Sequence, residues 1–248
     1  MSDPFRIDGQ RALVTGANTG IGQAVALGLA ERGAHVIAAG RSNCDETVTM
    51  IKAAGGSAEA FVLDLSDPKE AADRLSAAGA LDILVNNAGI IRRADATDYS
   101  ESDWDDVVDT NLKAAFLLSQ AFARAAIATG RGGRIVNIAS LLSFQGGIRV
   151  PAYTASKHGI AGLTKALANE WAVKGITVNA VAPGYIATNN TTALREDPKR
   201  AAEILSRIPA GRWGEPSDIA GAVAFLCTPA AAYVTGAVLN VDGGWLAR

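Results

Sequence analysis

The sequence predicts an α/β fold: a doubly wound parallel sheet of about seven strands with helices on both faces. Two observations predict it. Short apolar runs alternate with amphipathic helical patterns from one end of the chain to the other, and such alternation gives parallel strands joined by crossover helices. No linker, charge run, repeat or low-complexity stretch divides the 248 residues, and α/β chains of this length are routinely one domain. Residues 1–248 are therefore expected to form a single unit.

The first strand, Ala12–Thr15, runs into Gly16-Ala17-Asn18-Thr19-Gly20-Ile21-Gly22 and then into an amphipathic helix. Glycines at 16, 20 and 22 let a backbone approach a pyrophosphate without Cβ clashes and aim a helix N-terminus at its charge. That turn predicts a dinucleotide site, although its spacing is not the usual Gly-x-Gly-x-x-Gly. The second strand, His35–Ala39, ends in Gly40-Arg41-Ser42. An acidic residue in that slot would bond the ribose hydroxyls of NAD. Here Arg41 stands ready for a 2′-phosphate instead, so the residues permit either NAD or NADP.

A third strand, Ala58–Leu63, leads to Asp64-Leu65, and a fourth, Leu81–Val85, ends in Asn86-Asn87-Ala88-Gly89. A long helix over Trp104–Thr129 carries Asn111. The fifth strand, Arg134–Ile138, stops just before Ser140, and a second long helix, Tyr153–Val173, carries Tyr153 and Lys157. The sixth strand, Thr177–Val181, ends at Pro183-Gly184. Residues 184–213 then form a polar-rich excursion with one helix near Leu194–Arg207, a pattern that suggests a substrate lid. Residues 221–241 carry no charge, but Pro229 interrupts them, so they read as a buried helix, a turn and a last strand, Val238–Val241, rather than a membrane span.

Taken in order, the glycine turn, Asn86–Gly89, Ser140, Tyr153-Thr-Ala-Ser-Lys157 and Pro183-Gly184 with Thr188 resemble the short-chain dehydrogenase/reductase family over the whole chain. The resemblance implies a Rossmann-like fold and hydride transfer without a metal. It implies Tyr153 as acid/base, Lys157 and Ser140 as its partners, and Asn111 as support for a proton-relay water. A tyrosine has a pKa of about 10. Lys157 lies one helical turn on, and with a positively charged nicotinamide it would favour the phenolate by about three units, roughly 4 kcal/mol. Around the cofactor the resemblance implies Gly16, Asn18, Thr19, Gly20, Ile21 and Gly22 at the pyrophosphate, with Arg41, Ser42, Asp64 and Leu65 toward the adenine end. It further implies Asn87, Ala88 and Gly89 along the adenosine ribose, and Pro183, Gly184, Ile186 and Thr188 at the carboxamide.

Residues 86–93, 139–151, 182–191, 208–214 and 241–248 narrow the resemblance to members acting on six-carbon keto-sugar acids, of the kind met in bacterial pectin breakdown. Arg149 and Gln145, between Ser140 and Tyr153, would flank the cleft, and Arg149 could clamp a carboxylate. Arg92 is a second anchor, and Asn189 and Asn190 suit hydroxyls. Three other readings compete: a gluconate 5-dehydrogenase, a 3-oxoacyl-carrier-protein reductase, which should want an apolar acyl channel, and a nucleotide sensor, which would not need Ser, Tyr and Lys together.

Composition bounds the partners. A net charge of −2 and a sequence pI near 5.7 give no nucleic-acid footprint. No apolar leader is evident, and Cys44 and Cys227 match neither a metal spacing nor a disulfide framework. These features suit free thiols in a cytoplasmic, soluble enzyme. The resemblance, with the alanine-rich faces of the two long helices, implies a homotetramer.

Overall fold

Residues in a strand point alternately to opposite faces, so a strand sandwiched between two helix layers must be apolar on both. The computed structural model, which describes residues 3–248, meets that demand in the strands flanking the site. Seven strands, β1 (Arg11–Thr15), β2 (His35–Gly40), β3 (Ser57–Val62), β4 (Ile83–Asn86), β5 (Gly133–Ile138), β6 (Ile176–Pro183) and β7 (Val238–Val241), pair in parallel. Their order is β3-β2-β1-β4-β5-β6-β7. Val14, Val36, Ile83, Val136 and Val181 pack on one side with α1 (Gly20–Glu31), α2 (Asp45–Ala53) and α9 (Pro216–Cys227). Leu13, Ile37, Leu84, Ile135 and Val178 pack on the other with α3 (Pro68–Arg74), α5 (Ala114–Thr129) and α6 (Pro151–Trp171).

Strand order reverses between β1 and β4, which opens a crevice beyond their carboxyl ends, where open sheets of this kind take ligands. Both cysteines are free and buried, and burial pushes the Cys227 thiol up to about 12, so it stays unreactive. Among the described residues no helix is long and apolar enough to cross a membrane.

Two predicted helices are divided. The span expected over Trp104–Thr129 is α4 (Glu101–Val108), a wider π-helical turn at Asp109–Lys113, and α5. It starts early because the Ser100 hydroxyl accepts the Asp103 N–H at 3.1 Å. The π turn centres on Asn111, whose side chain bonds both backbone groups of Ile90, outside the helix. The lid helix is split into α7 (Thr192–Glu196) and α8 (Pro198–Leu205). Pro198 drives Asp197 out of the helical region, and the Asp197 carboxylate then caps α8 by accepting the N–H groups of Lys199 and Arg200 at 3.0 and 3.1 Å.

A buried polar chain fastens the sheet to its helices below the crevice. Asn86 Nδ2 donates to Asn137 Oδ1 at 2.8 Å and to Ser119 Oγ at 3.0 Å, and Asn137 Nδ2 donates to Thr164 Oγ1 at 2.9 Å. Removing the middle member leaves buried groups unpaired, each worth about 1–3 kcal/mol, besides a cavity. Asn137→Ala is expected to lower unfolding free energy by about 2–4 kcal/mol. An unfolding free energy from denaturant titration that falls by less than about 1 kcal/mol would show that the chain of bonds is dispensable.

Candidate active site

The glycine turn is shaped by what it must pass. Gly16 and Gly20 take φ of +65° and +57°. A Cβ on Gly22 would lie 2.1 Å from the Gly16 carbonyl oxygen and 2.4 Å from Asn87 Nδ2, so α1 enters this tightly only with glycine there. Across the crevice, Thr15 Oγ1 accepts the N–H groups of Asn87 and Ala88, both at 3.0 Å. Asn87 Nδ2 donates back to the carbonyls of Thr15 at 2.8 Å and Gly16 at 3.3 Å. The Asn87 side chain, expected beside the adenosine ribose, is thus a brace for the turn. Thr15 escaped the sequence reading; a hydroxyl residue between strand and glycine was its only signal.

The turn fits a pyrophosphate. Thr19 offers α1 no side-chain cap, and no acidic residue stands in its first turn, so the leading N–H groups and the positive end of the dipole are left for an anion. The end of β2 carries no carboxylate, only Gly40, Arg41 and Ser42. Arg41 is exposed and forms no ion pair among the described residues, and Asn18 Nδ2 donates to Ser42 Oγ at 3.4 Å. Asp64 is exposed and accepts the Ser66 N–H at 2.9 Å, with Leu65 buried beside it. The helix that follows is capped by Asp67, which accepts the N–H groups of Lys69 and Glu70.

Ser140, Tyr153, Lys157 and Asn111 come together at the ends of β4 and β5. Ser140 leaves β5 in extended conformation, its Oγ accepting the Leu142 N–H at 3.2 Å. Lys157 is buried, its Nζ donating to the Ile138 carbonyl at 2.6 Å and standing 5.5 Å from the Tyr153 ring centre. Ser143 Oγ donates to the Lys157 carbonyl at 2.6 Å, a contact with no signal in the residue pattern. Asn111 accepts the Ile90 N–H at 2.8 Å, donates to its carbonyl at 2.9 Å, and donates more weakly to Ser156 Oγ at 3.4 Å. Ser156 in turn donates to the Tyr153 carbonyl at 2.8 Å. The polar ends of Asn111 are therefore spent mainly on backbone.

Without a cofactor, burial works against the phenolate. Burial raises the Tyr153 hydroxyl above its ordinary range; Ser140 and, more weakly, Arg93 oppose that rise. Lys157 is lowered to about 8 by burial. Its ammonium is spent on a backbone carbonyl beneath the ring rather than on the phenol oxygen. The protein by itself thus holds Tyr153 protonated at neutral pH, set to give a proton to a carbonyl oxygen.

The expected substrate groups lie apart. Arg149 Nε is 3.0 Å from Asp95, and Arg92 is 3.3 and 3.4 Å from Asp103 and Asp106. Both guanidiniums are committed to carboxylates at the surface. Arg149 also takes φ +65°, the one non-glycine among the described residues to do so. Gln145 accepts from Trp245 Nε1 at a long 3.4 Å. Asn189 and Asn190 are exposed on a 3₁₀ turn, Asn189–Thr191, at the foot of the lid. Thr188 faces Gly20: a Cβ on that glycine would stand 3.5 Å from Thr188 Cγ2. Pro183 closes β6, Gly184 abuts Asp242, and buried Ile186 bridges to Gly214, which ties off the lid base. Above it Trp213 packs edge-on to Tyr185, and Tyr185 lies 4.8 Å from the ring of Trp245.

Residues 16–246 match the family model described as enoyl-(acyl carrier protein) reductase. The chain belongs to the short-chain dehydrogenase/reductase family. It is 53% identical over 248 residues to the 2-dehydro-3-deoxy-D-gluconate 5-dehydrogenase of Escherichia coli strain K12, covering 98% of each chain. A crystal structure from Agrobacterium tumefaciens, assigned provisionally as a 2-deoxy-D-gluconate 3-dehydrogenase with bound NADP, is 64% identical with a TM-score of 0.97 and full coverage of both chains. A Beutenbergia cavernae structure, provisionally an NAD(P)-dependent gluconate 5-dehydrogenase with NADP at low occupancy, is 55% identical with a TM-score of 0.95, covering 99% of this chain and 100% of the other.

Proposed function

We propose that the chain is an NAD(P)-linked dehydrogenase that interconverts a secondary alcohol and a ketone on a hexonate-type sugar acid, as 2-dehydro-3-deoxy-D-gluconate 5-dehydrogenase does. One observation carries the reading: Ser140, Tyr153 and Lys157 stand intact at the crevice of a chain that matches such enzymes from end to end. The nicotinamide cofactor supplies or accepts the hydride. Tyr153 gives its proton to the substrate oxygen in reduction and takes it back in oxidation. Ser140 holds that oxygen beside the phenol, and Lys157 keeps positive charge beneath the ring. Gly16, Asn18 and Thr19 to Gly22 would hold the pyrophosphate, Asp64 and Leu65 the adenine end, Ala88 and Gly89 the adenosine ribose, and Ile186 and Thr188 the carboxamide.

Arg41 and Ser42, with no carboxylate at the end of β2, favour NADP. Arg41→Asp should cut kcat/KM with NADP by about 10²-fold while leaving NAD within tenfold, since a charge-paired phosphate is worth a few kcal/mol. Equal change with both cofactors would remove Arg41 from the 2′-phosphate. Residues 184–213 act as the lid over the substrate. The assembly is a homotetramer in the cytoplasm, its subunits packing through helix faces and the unpaired β7 edge.

A panel of 2-keto-3-deoxygluconate, gluconate and a 3-oxoacyl thioester, each run with both cofactors, tests the reading. Preference for a sugar acid is expected, and preference for the thioester would overturn it. A monomer mass by light scattering at micromolar concentration would overturn the assembly.

A further inference from the structure

We infer that Trp245 is a positioning residue for the reaction, one that seats the turn carrying Ser140 against the lid. The inference rests on the reading above, in which Ser140 holds the substrate oxygen and residues 184–213 cover the substrate. After β7 the chain reverses at Asp242-Gly243-Gly244. The Asp242 carboxylate accepts the N–H groups of Gly244 at 2.9 Å and Leu246 at 3.0 Å, which fixes the reversal. Gly243 and Gly244 take φ of +64° and +87°. A Cβ on Gly243 would stand 2.9 Å from Ile208 Cγ2, and one on Gly244 3.0 Å from Pro209 Cγ, so the turn lies flush against the end of the lid. The Ala210 N–H donates to the Gly243 carbonyl at 3.0 Å. Trp245 is thereby delivered, buried, to the place where the lid meets the catalytic turn.

The lid supplies one set of its contacts. The Arg207 guanidinium lies 4.0 Å over the ring centre, and Ile204 and Ile208 share an apolar cluster with the indole. Arg248, three residues on, donates to the Ser206 carbonyl at 2.9 Å. The other set belongs to the turn that begins at Ser140. Leu141, the next residue, is buried in the same cluster, and the indole Nε1 donates to Gln145 Oε1 at 3.4 Å. The Leu141 carbonyl accepts the N–H groups of Phe144 and Gln145 at 3.0 and 3.2 Å, and Ser140 Oγ accepts the Leu142 N–H. Residues 140–145 are therefore one tight turn, and the indole is its seat. None of residues 16–22 belongs to this cluster, so the pyrophosphate end of the cofactor lies outside it.

Trp245→Ala and Trp245→Phe should be made alone and together with Ser140→Ala. Each is assayed with NADP on whichever substrate the panel above prefers. A reacting group displaced by about 1 Å can cost about 10²-fold in rate. Trp245→Ala is accordingly expected to lower kcat by about 10²-fold, and Trp245→Phe, which keeps a ring and loses the N–H, by about tenfold. NADP affinity should stay within about threefold of wild type in both. In the Ser140→Ala background the same substitutions should lower kcat by no more than about threefold, because a residue acting through Ser140 has nothing left to position. A side chain that only fills space would cost the same factor in both backgrounds, and that result would overturn the inference. So would near-wild-type kcat in both Trp245 variants. Should the alanine chain lack a melting transition, the phenylalanine pair completes the same comparison. If Ser140→Ala alone turns over near wild type, the reading of Ser140 fails and the inference with it; if Ser140→Ala is slow and the losses multiply, only the inference fails.

Discussion

Tyr153→Phe is expected to lower kcat by about two to four orders of magnitude, the usual scale of general acid–base catalysis, with cofactor affinity little changed. The phenol is bonded by Ser140 and has the Lys157 ammonium beneath its ring, and phenylalanine keeps the packing while deleting the proton. Near-normal turnover would remove Tyr153 from the chemistry. Lys157 gives a companion test whose sign follows from its burial. With a native pKa of about 8 against an ordinary 10.5, Lys157 carries an unfavourable buried charge in the folded state below pH 8. That cost is relieved as pH rises from about 8 toward 10.5, so this group makes the free enzyme more stable over that window. Measured against Lys157→Met, the wild type should gain on the order of 3 kcal/mol between pH 7 and pH 10. A gap between the two that stays constant with pH would mean that the ammonium is not desolvated.

Gly22→Ala is expected to reduce cofactor affinity by at least about 10²-fold. The new methyl would sit 2.1 Å from a backbone oxygen, and backbone cannot step aside as a flexible side chain can. Relief would require α1 to lift away from the turn, which carries its N–H groups off their line to the pyrophosphate. The same lift would strain the hydrogen bonds from Asn87 to Thr15 and Gly16, so stability should also drop by about 1–3 kcal/mol. Cofactor titration by fluorescence checks the first effect and thermal melting the second. Affinity within threefold of wild type would show that the turn can widen at little cost.

The sheet was legible because burial on both faces leaves near-continuous apolar runs, and all seven predicted strands overlap the observed ones to within about two residues at either end. The largest extension is at β6, which runs on to Pro183. The glycine turn, Ser140, Tyr153 and Lys157 were legible because their spacing along strands and helices is fixed by geometry. Elements whose boundaries depend on distant partners were not. The π turn at Asn111 exists through bonds to Ile90, 21 positions away, and nothing in residues 104–129 announces it. At Asp197-Pro198 the proline alone marks a break that the apolar pattern runs across. Around the cleft mouth, three arginines lie within reach in sequence. Which of them is neutralised depends on carboxylates at 95, 103 and 106, whose positions only the folded chain supplies.

The knot between Asn111 and Ile90 bears on how such a protein could acquire new substrates. Asn111 grips residue 90 by its main chain alone, so the knot is indifferent to which side chain stands there, provided it keeps an N–H. Through Ser156 the same knot reaches the main chain of Tyr153. The segment that follows residue 90 is therefore anchored to the chemical apparatus without its own sequence being constrained at the anchor. Mutation can rewrite residues 91 to 95 while the acid, the hydroxyl and the glycine turn stay registered to one another. In a lineage of duplicated genes, selectivity could drift there one residue at a time, with proline at position 90 the replacement the knot itself forbids.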